Sequence, residues 1–514
     1  MPPRSISEMT ADSCVFLTGV TGFVGGCLLE RICKLEPGPA RVYVLVRRKL
    51  GVEPQSRLEK MFSSPLFSGI PASKLQRVQA MEGDVGSNEP DLGLSPKDVQ
   101  ILVDNCTHVY HSAAFISFAA QLEQAIRINL CGSRAVLHLA RRMKKIRAMV
   151  HVSSAYVNCT IGTENSEFEE RVYPVEYDVD PVDVLNAVTT MSPQEVEKEY
   201  GELIRRHPNT YAFSKHLTEN LLARERGHVP LSIVRPSVIL NSWREPFVGW
   251  VDNVNSGACG YIAGVAKGIF CTFQARADMV MDVIPVDMVV STILAAAWKA
   301  ELEPERLHVL HCTSGTANPL TWGRYADGII KAAREHPCHS VAWYPRTTLR
   351  ESRLRTELVM FIFQMIPAIF IHLFAKLAKP EHSLIDIQRR YAKGGKYTSY
   401  FSVREWQFSR KTSDELAAML TEEERDRHPM DPRLLDWDKY LEGCVIGTRT
   451  YFHKEPAKTT DRARRQMARL RVVAALSPVL SFTGLCGCLA LLMGIHWAIA
   501  VPLAAFVVML LVWL

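Results

Sequence analysis

Short apolar runs alternate with helical stretches from Val15 to about Ser314. The runs are rich in β-branched residues, a composition typical of buried strands. After a first run at Cys14, they are VYVLV (42–46), THVYH (107–111), AMVHVSS (148–154), LSIVRP (231–236) and LHVLHC (307–312). Strands that alternate with helices form parallel sheets covered on both faces. The pattern therefore predicts an α/β fold with a doubly wound parallel sheet.

The pattern changes near Gly315, where a mostly helical region begins and continues to about residue 455. This region contains the long apolar run ELVMFIFQMIPAIFIHLFAKLAK, at 357–379. Pro367 interrupts the run, and Gln364 and His372 lie within it, so a membrane-spanning helix is not favoured. We expect a buried or membrane-docking helical pair that lines an apolar pocket.

The end of the chain has a different pattern. Residues 472–514 contain no charged side chain, and Gly494, Ile495 and His496 divide them into two stretches of about membrane-spanning length. Five arginines in 462–471 come directly before them, and the positive-inside rule places that flank and the main body in the cytosol. We predict a transmembrane anchor of one or two segments. The predicted divisions are a polar N-terminal segment, an α/β domain, a helical domain, a basic flank and the anchor, at 1–12, 13–314, 315–455, 456–471 and 472–514.

Composition narrows the functional classes. The net charge of +6 is a small surplus of 60 Lys and Arg over 54 Asp and Glu, so nucleic acid binding is not indicated. The 13 cysteines are scattered, and outside the apolar tail no pair has a zinc-site spacing, so we expect reduced thiols, no disulfides and no metal. The polar start of the chain lacks the apolar core of a secretory signal.

Three glycines follow the first apolar run, in TGVTGFVGG, before a helical pattern begins. Gly19 permits a tight turn, Gly22 lets the backbone approach a ligand, and Gly25 allows close packing of the helix. Free N–H groups at the helix start would then face an anion. The turn therefore predicts a site for a dinucleotide pyrophosphate in a Rossmann-type fold.

Basic residues follow the second apolar run. Arg47 and Arg48 stand where folds that select NAD usually place an acidic residue for the ribose 2′-hydroxyl. Cations at that position suit a 2′-phosphate, so NADP(H) is favoured over NAD(H). Asp84, in EGDV, is a candidate acceptor for the adenine amine, although aspartate also ends strands for structural reasons.

Tyr211 and Lys215 are four residues apart in NTYAFSK, so their side chains share one face of a helix. A nearby ammonium favours the phenolate and lowers the pKa of a tyrosine, which can then exchange a proton with a carbonyl oxygen. HVSSAYVN supplies Ser153 and Ser154 where a parallel strand would end at the cofactor. Side chains alternate along a strand, so one of the two serines is expected to point inward.

The ordered motifs TGVTGFVG, LVRR, GDV, HSAA, HVSSAYVN, YAFSK and RPS resemble the extended short-chain dehydrogenase/reductase superfamily. Within it, the chain is similar to the alcohol-forming fatty acyl-CoA reductases in NTYAFSK, REPFVGWVDN (244–253), VIPVDMVV (283–290) and a helical C-terminal domain with YFSVREWQF. Ser154 and Tyr211 are 57 positions apart (211 minus 154), and fatty acyl-CoA reductases carry a comparable acidic insertion there.

The resemblance implies a role for each matching residue. Tyr211 is the proton donor, and Lys215 lowers its pKa and holds the nicotinamide ribose. Ser154 bonds the substrate carbonyl, with Ser153 as the alternative. The cofactor-binding positions, besides Tyr211 and Lys215, are Gly19, Thr21, Gly22, Phe23, Val24, Gly25, Arg47, Arg48 and Asp84.

The resemblance also implies the reaction: a long-chain fatty acyl-CoA and two NADPH give the primary alcohol, CoA and two NADP through a bound aldehyde, for wax or ether lipid synthesis. Two alternatives stay open. One is a membrane-bound steroid dehydrogenase of the same superfamily, which leaves REPFVGWVDN unexplained. The other is an NADP-sensing scaffold, which has no need of a proton donor.

The expected setting is a lipid bilayer, reached through the C-terminal anchor, with the catalytic domain in the cytosol. The family favours the peroxisomal membrane first and the endoplasmic reticulum second. The superfamily often dimerises, so a homodimer is one of the oligomeric states that stay open.

Overall fold

The computed structural model of the chain describes residues 5–11, 13–118, 121–161, 166–175, 179–252, 257–366, 368–369, 384–456, 458–492 and 501–502. Parts of six sequence predictions lie outside these residues, among them Asn253 of REPFVGWVDN and residue 457 of the basic flank. The others are the start of the N-terminal segment, part of the acidic insertion, much of the apolar run at 357–379, and the anchor at 493–500 and 503–514.

The strands of the described residues form one sheet of seven strands and three sheets of two. They are β1 (Cys14–Thr18), β2 (Arg41–Val46), β3 (Val78–Glu82), β4 (His108–His111), β5 (Ala148–Val152), β6 (Glu167–Phe168), β7 (Leu231–Pro236), β8 (Val238–Leu240), β9 (Thr272–Gln274), β10 (Val283–Pro285), β11 (His308–Cys312), β12 (Thr348–Arg350) and β13 (Gln407–Phe408).

Helices connect and cover the strands. They are α1 (Ile6–Thr10), α2 (Phe23–Lys34), α3 (Pro54–Phe62), α4 (Ala72–Leu75), α5 (Pro96–Asn105), α6 (Leu122–Ile126), α7 (Gly132–Arg142), α8 (Pro181–Thr190), α9 (Pro193–Arg205), α10 (Thr210–Glu225), α11 (Gly257–Ala266), α12 (Val286–Leu302), α13 (Trp322–Glu335), α14 (Arg353–Met360), α15 (Leu384–Ser402), α16 (Lys411–Met419), α17 (Glu422–Arg427), α18 (Trp437–Gly447) and α19 (Asp461–Leu492). Short 3₁₀ turns lie at Pro65–Phe67, Pro90–Gly93, Ala155–Asn158 and Pro432–Leu434, and π-helical turns at Arg127–Cys131, Phe361–Met365 and Thr448–Phe452.

The seven-stranded sheet has the order β11, β7, β5, β4, β1, β2, β3, and every neighbouring pair is parallel. This confirms the predicted doubly wound sheet, and all six predicted apolar runs contribute strands to it. The strand order reverses between β1 and β4, which leaves a crevice at the carboxyl ends of these strands. Strand β1 is buried at all five residues because helices cover both faces of the sheet.

The chain divides into two compact units. The sheet unit contains Met1–Asp252, Val280–Leu320 and Glu405–Asp436, and the helical unit contains Asn253–Met279, Thr321–Arg404 and Trp437–Leu514. Segments of the two units alternate along the sequence. Residues 405–436 belong to the sheet unit because β13 pairs with β6, and Phe408 packs with Phe168 and Tyr173 in a buried cluster.

Helix α19 extends into the predicted anchor as far as Leu492, and residues 501–502 of the anchor are also described. No helix within the described residues has both the length and the apolar character needed to cross a membrane.

The Asp287 carboxylate connects two of the sequence motifs that resemble the family, VIPVDMVV and REPFVGWVDN. Asp287, in IPVD at the start of α12, is buried and accepts hydrogen bonds from the backbone N–H groups of Trp243 (2.8 Å), Arg244 (2.8 Å) and Glu245 (3.1 Å). The REPF loop therefore starts from a fixed position against the sheet unit. Burial raises the pKa of Asp287, although these three donors oppose the rise.

We predict that Asp287→Ala destabilises the sheet unit by about 2 to 4 kcal/mol, because three backbone donors lose a buried acceptor. Thermal unfolding followed by circular dichroism measures the change as a lower midpoint. Asp426→Ala is the matched control, since the exposed Asp426 contacts the same loop only through the Arg244 guanidinium at 3.3 Å. Equal midpoints for the two variants would contradict the role given to Asp287.

Candidate active site

The glycine turn lies at the crevice between β1 and β4. Gly19 has φ +79°, and a Cβ on it would stand 2.5 Å from the backbone nitrogen of Ala113, which follows β4. A Cβ on Gly25 would stand 2.2 Å from the carbonyl oxygen of Gly19. Neither position has room for a side chain, so the turn presses the start of α2 close to the ends of both strands.

The start of α2 is open for an anion. Its N-cap residue, Gly22, offers no side-chain acceptor to the first N–H groups, and the first turn carries no acidic residue. Thr21 and Gly22 are exposed, while Phe23 and Val24 are partly buried. Uncapped N–H groups and the positive end of the helix dipole attract a phosphate. These residues therefore fit a dinucleotide pyrophosphate.

The two arginines after β2 have different surroundings. Arg48 is held by the carboxylates of Glu82, at 2.9 Å, and Glu53. Arg47 is more than half exposed, and its guanidinium lies 3.7 Å from the Asp84 carboxylate, beyond direct hydrogen-bond distance. The other carboxylate oxygen of Asp84 accepts a bond from the N–H of Gly86 at 2.9 Å. Arg47 is thus the better placed of the two cations for a ligand.

A third cation was not predicted from the sequence. Arg57, on α3, donates to the backbone carbonyl of Arg47, and the charge of Arg47 contributes to a lowered pKa of Arg57 after the larger effect of burial. The position of Arg57 next to Arg47 depends on how α3 packs against β2 and β3. The spacing of residues along the sequence therefore does not predict it.

Ser154 and Tyr211 meet at the end of β5. The Ser154 hydroxyl lies close enough to the Tyr211 side chain to lower its pKa by hydrogen bonding. It also accepts the N–H of Tyr156 at 3.3 Å. Helix α10 begins at the N-cap Asn209, whose side chain accepts the N–H of Ala212 at 2.8 Å, and this fixes the position of Tyr211 in the first turn. The geometry thus favours Ser154 over Ser153 as the partner of Tyr211.

Ser153 has a different environment. It is 4% exposed, and its backbone N–H donates to Val234 on the neighbouring strand at 2.7 Å. Its hydroxyl has no hydrogen-bond partner within the described part of the chain.

Lys215 is fully buried one turn after Tyr211. Its ammonium donates to the carbonyl oxygen of Val152 at 2.7 Å, at the carboxyl end of β5. Burial lowers the pKa of Lys215 to about 7, while the nearby Glu219 carboxylate opposes this shift. Both the ammonium and the neutral amine form of Lys215 are therefore accessible near neutral pH.

The pKa of Tyr211 differs from the sequence-based expectation. Burial, and next the charge of Glu219, raise the pKa of Tyr211, and the hydrogen bond from Ser154 only partly offsets the rise. Burial disfavours the phenolate, and Lys215 is not among the groups that shift the pKa of Tyr211. Tyr211 is therefore a neutral phenol at neutral pH, which is the form that can donate a proton.

Two buried histidines lie near Lys215. His111, on β4, bonds the hydroxyls of Thr18 (2.7 Å) and Ser133 (2.8 Å), and its ring lies 5.3 Å from that of His151 on β5. Burial lowers the pKa of His111 to about 3, with a smaller contribution from Lys215, and lowers the pKa of His151 for the same reasons. Both rings are neutral near pH 7, so they do not add positive charge beside the lysine.

A buried ion pair lies below Lys215 and was not predicted. Glu219 follows Lys215 by one helical turn and binds the Arg235 guanidinium, with Nε to Oε1 at 2.9 Å. Both side chains are fully buried. Arg235 also donates to the His311 ring at 3.2 Å and to the carbonyl of Arg171 at 2.9 Å. The sequence does indicate the position of Glu219, because Tyr211, Lys215 and Glu219 follow one another at intervals of four on one helix face.

Comparisons with known proteins give the family. Two family models, both described as male sterility protein, match residues 17–293 and 363–455. Fatty acyl-CoA reductase 1 of Xenopus laevis is 32% identical over 471 residues, which cover 91% of this chain and 90% of that protein. The human fatty acyl-CoA reductase 1 is 31% identical over the same shares. The chain belongs to the fatty acyl-CoA reductase family, a family of oxidoreductases.

The fold is also found in a solved structure. The terminal R domain from the myxalamid PKS-NRPS biosynthetic pathway matches with a TM-score of 0.57 and 19% identity, over 89% of this chain and 94% of that domain. This likeness supports the Rossmann-like sheet with a helical C-terminal region. Family membership implies a nicotinamide cofactor and an acyl-CoA substrate.

We predict that Glu219→Gln shifts the pH dependence of cofactor oxidation. Removing the carboxylate leaves Lys215 near the unpaired cation Arg235, so the pKa of Lys215 falls. If turnover requires the ammonium, the alkaline limb of the profile moves to lower pH. Initial rates between pH 5 and 9 would measure the shift.

Two further variants control this experiment. Glu225→Gln, at the end of the same helix, removes a carboxylate that pairs with Arg134 at 2.8 Å, and it should leave the limb in place. Glu219→Gln alone leaves the Arg235 charge buried without its partner, which can prevent folding. The double variant Glu219→Gln with Arg235→Gln removes both charges and therefore tests the site without a buried unpaired charge. If the alkaline limb of the pH–rate profile does not shift in folded Glu219→Gln protein, Glu219 does not set the pKa of Lys215.

Proposed function

We propose that the protein reduces a long-chain fatty acyl-CoA to the primary alcohol with NADPH, and that the aldehyde stays bound between the two reductions. The observation that supports this most is the meeting of Ser154 with Tyr211 at the end of β5, one helical turn from buried Lys215. Family membership supplies the substrate class, and this set of side chains supplies the means of stabilising and protonating a carbonyl oxygen.

Each side chain has a defined task in this proposal. When bound, the nicotinamide supplies a hydride to the substrate carbonyl carbon, once for the thioester and once for the aldehyde. Ser154 donates a hydrogen bond to the carbonyl oxygen as negative charge develops on it. CoA leaves as a thiolate when the carbonyl re-forms. Tyr211, kept as a neutral phenol by burial, donates the proton that completes the alcohol.

Lys215 would supply positive charge near the phenol and the cofactor ribose. Its ammonium already uses the Val152 carbonyl as an acceptor, which fixes the side chain before any ligand arrives. A phosphate-bearing cofactor brings negative charge, and this favours the ammonium form of a lysine whose pKa lies near 7.

Arg47 is the basis for proposing NADPH. It combines exposure with a guanidinium that no carboxylate holds within direct hydrogen-bond distance among the described residues, whereas Arg48 is bound by two carboxylates. Arginine binds phosphate through two parallel hydrogen bonds, so a 2′-phosphate would be a stronger ligand than a 2′-hydroxyl.

A long acyl chain would retain the aldehyde. Each buried methylene contributes about 0.8 kcal/mol, so the tail can hold the intermediate while the oxidised cofactor is exchanged. We further propose that the protein is anchored by 472–514 in the peroxisomal membrane or, second, in the endoplasmic reticulum. The arginines at 462–471 support a cytosolic catalytic body, and the alcohol would enter ether lipid or wax synthesis.

Tyr211→Phe is expected to lower alcohol formation by about 100-fold or more, because the proton donor is lost while the ring is kept. Ser154→Ala should lower it by about 100-fold through loss of the oxyanion donor. Chromatography of the products from acyl-CoAs of several lengths measures both effects, and NADPH binding should be retained. Ser153→Ala is the matched control and should keep most activity; a larger loss there than in Ser154→Ala would exchange the two roles.

Arg47→Ala should raise the KM for NADPH by about tenfold, since a charge-assisted hydrogen bond contributes about 1.5 to 3 kcal/mol. The KM for NADH should change little. Arg48→Ala serves as the control because its guanidinium is already paired with Glu82 and Glu53. Equal effects of Arg47→Ala on both cofactors would count against the 2′-phosphate contact.

A further inference from the structure

Helix α14 presents apolar side chains to the outside. Leu354 is 76% exposed, Leu358 39% and Phe361, in the following π-helical turn, 55%. Their spacing of four and three residues places them on one face of the helix. Three large apolar side chains on one exposed helix face are a feature of surfaces that contact a partner or a membrane.

The other side of the same helix is seated in the helical unit. Thr356, Val359 and Gln364 are buried, each less than a tenth exposed. Ser352 caps the start of α14 by accepting the N–H of Arg355 at 3.4 Å. The helix is therefore held in place, and its outward apolar face is not a consequence of fraying.

Cations are frequent in the segment that carries the apolar face and in the helix beside it. Residues 346–366 and 384–404 carry nine Lys and Arg against three Asp and Glu. Helix α15 lies beside α14, since both line one cleft, and its Arg389, Arg390, Lys393 and Lys396 are exposed. An apolar stripe with a cationic border is typical of helices that lie in the interface of a bilayer.

We propose that the face formed by Leu354, Leu358 and Phe361 docks onto a lipid surface that contains anionic phospholipids. The three side chains would enter the boundary between headgroups and acyl chains, and the cations of α15 would contact phosphates. A second copy of the chain fits less well, because a symmetric pair would bring two cationic borders together.

A second element of the helical unit has the same combination. Helix α19 begins with the arginine-rich residues 462–471 and continues with Val472, Val473 and Leu476, which are 43% to 59% exposed. Juxtamembrane cations are attracted to anionic lipids. Val472, Val473 and Leu476 belong to the predicted anchor at 472–514, whereas the face of α14 lies outside it. Docking of the α14 face would keep the catalytic body at a surface into which long-chain substrates partition.

Fluorescence quenching by brominated lipids tests the proposal in the full-length protein reconstituted into phosphatidylcholine and phosphatidylserine vesicles. Leu358→Trp introduces an indole on the face, and Leu434→Trp, at a residue of the sheet unit that is 52% exposed, is the control. Each variant is compared with the unsubstituted protein, whose nine tryptophans give the background. We expect bromine to quench the added emission of Leu358→Trp and to leave that of Leu434→Trp unchanged.

The same samples separate the other outcomes. No added quenching in Leu358→Trp overturns the proposal, and so does equal quenching of both variants. Cross-linking of two chains through residue 358 without quenching would assign the face to a second copy and also overturn it. Alcohol formation is measured on the same vesicles, so quenching without turnover would support docking while it refutes the proposed reaction.

Discussion

Burial of the Lys215 ammonium is the constraint on which the candidate site depends. An ammonium in the interior requires an acceptor and a counter-charge, and the structure supplies the Val152 carbonyl at 2.7 Å and the Glu219 carboxylate. Glu219 in turn requires Arg235, which is bound on its far side by His311 and by a backbone carbonyl. Helix α10 therefore carries a polar face through the core of the sheet unit, and the first turn of that face presents Tyr211 beside Ser154.

The predicted phosphate site and the candidate catalytic residues lie at the carboxyl ends of neighbouring strands. The glycine turn after β1 lies against Ala113 after β4, and the site of Ser154 follows β5, the next strand of the sheet. A ligand held by its phosphates at the start of α2 would be directed along the carboxyl ends of these strands. The backbone of the turn leaves no room for a Cβ at Gly19 or Gly25. Close packing therefore fixes the backbone at the phosphate end of the site, as hydrogen bonds fix the side chains at the catalytic end.

Local sequence patterns predicted much of this arrangement, because local rules govern it. The apolar runs gave the strands of the main sheet, the glycine spacing gave the turn, and the interval of four gave Tyr211 and Lys215. Three features depend on tertiary packing and were not predictable in this way. They are the raised pKa of Tyr211, the different environments of Arg47 and Arg48, and the interleaved units, which follow from the pairing of β13 with β6.

Transfer of deuterium from the cofactor tests the central claim most directly. NADPH that carries deuterium at the transferred position of the nicotinamide would be mixed with a long-chain acyl-CoA and the protein, and the alcohol analysed by mass spectrometry. The account predicts two deuterium atoms on the carbinol carbon, one from each reduction at the same site. A product that stops at a singly labelled aldehyde, or an alcohol without label, would contradict it.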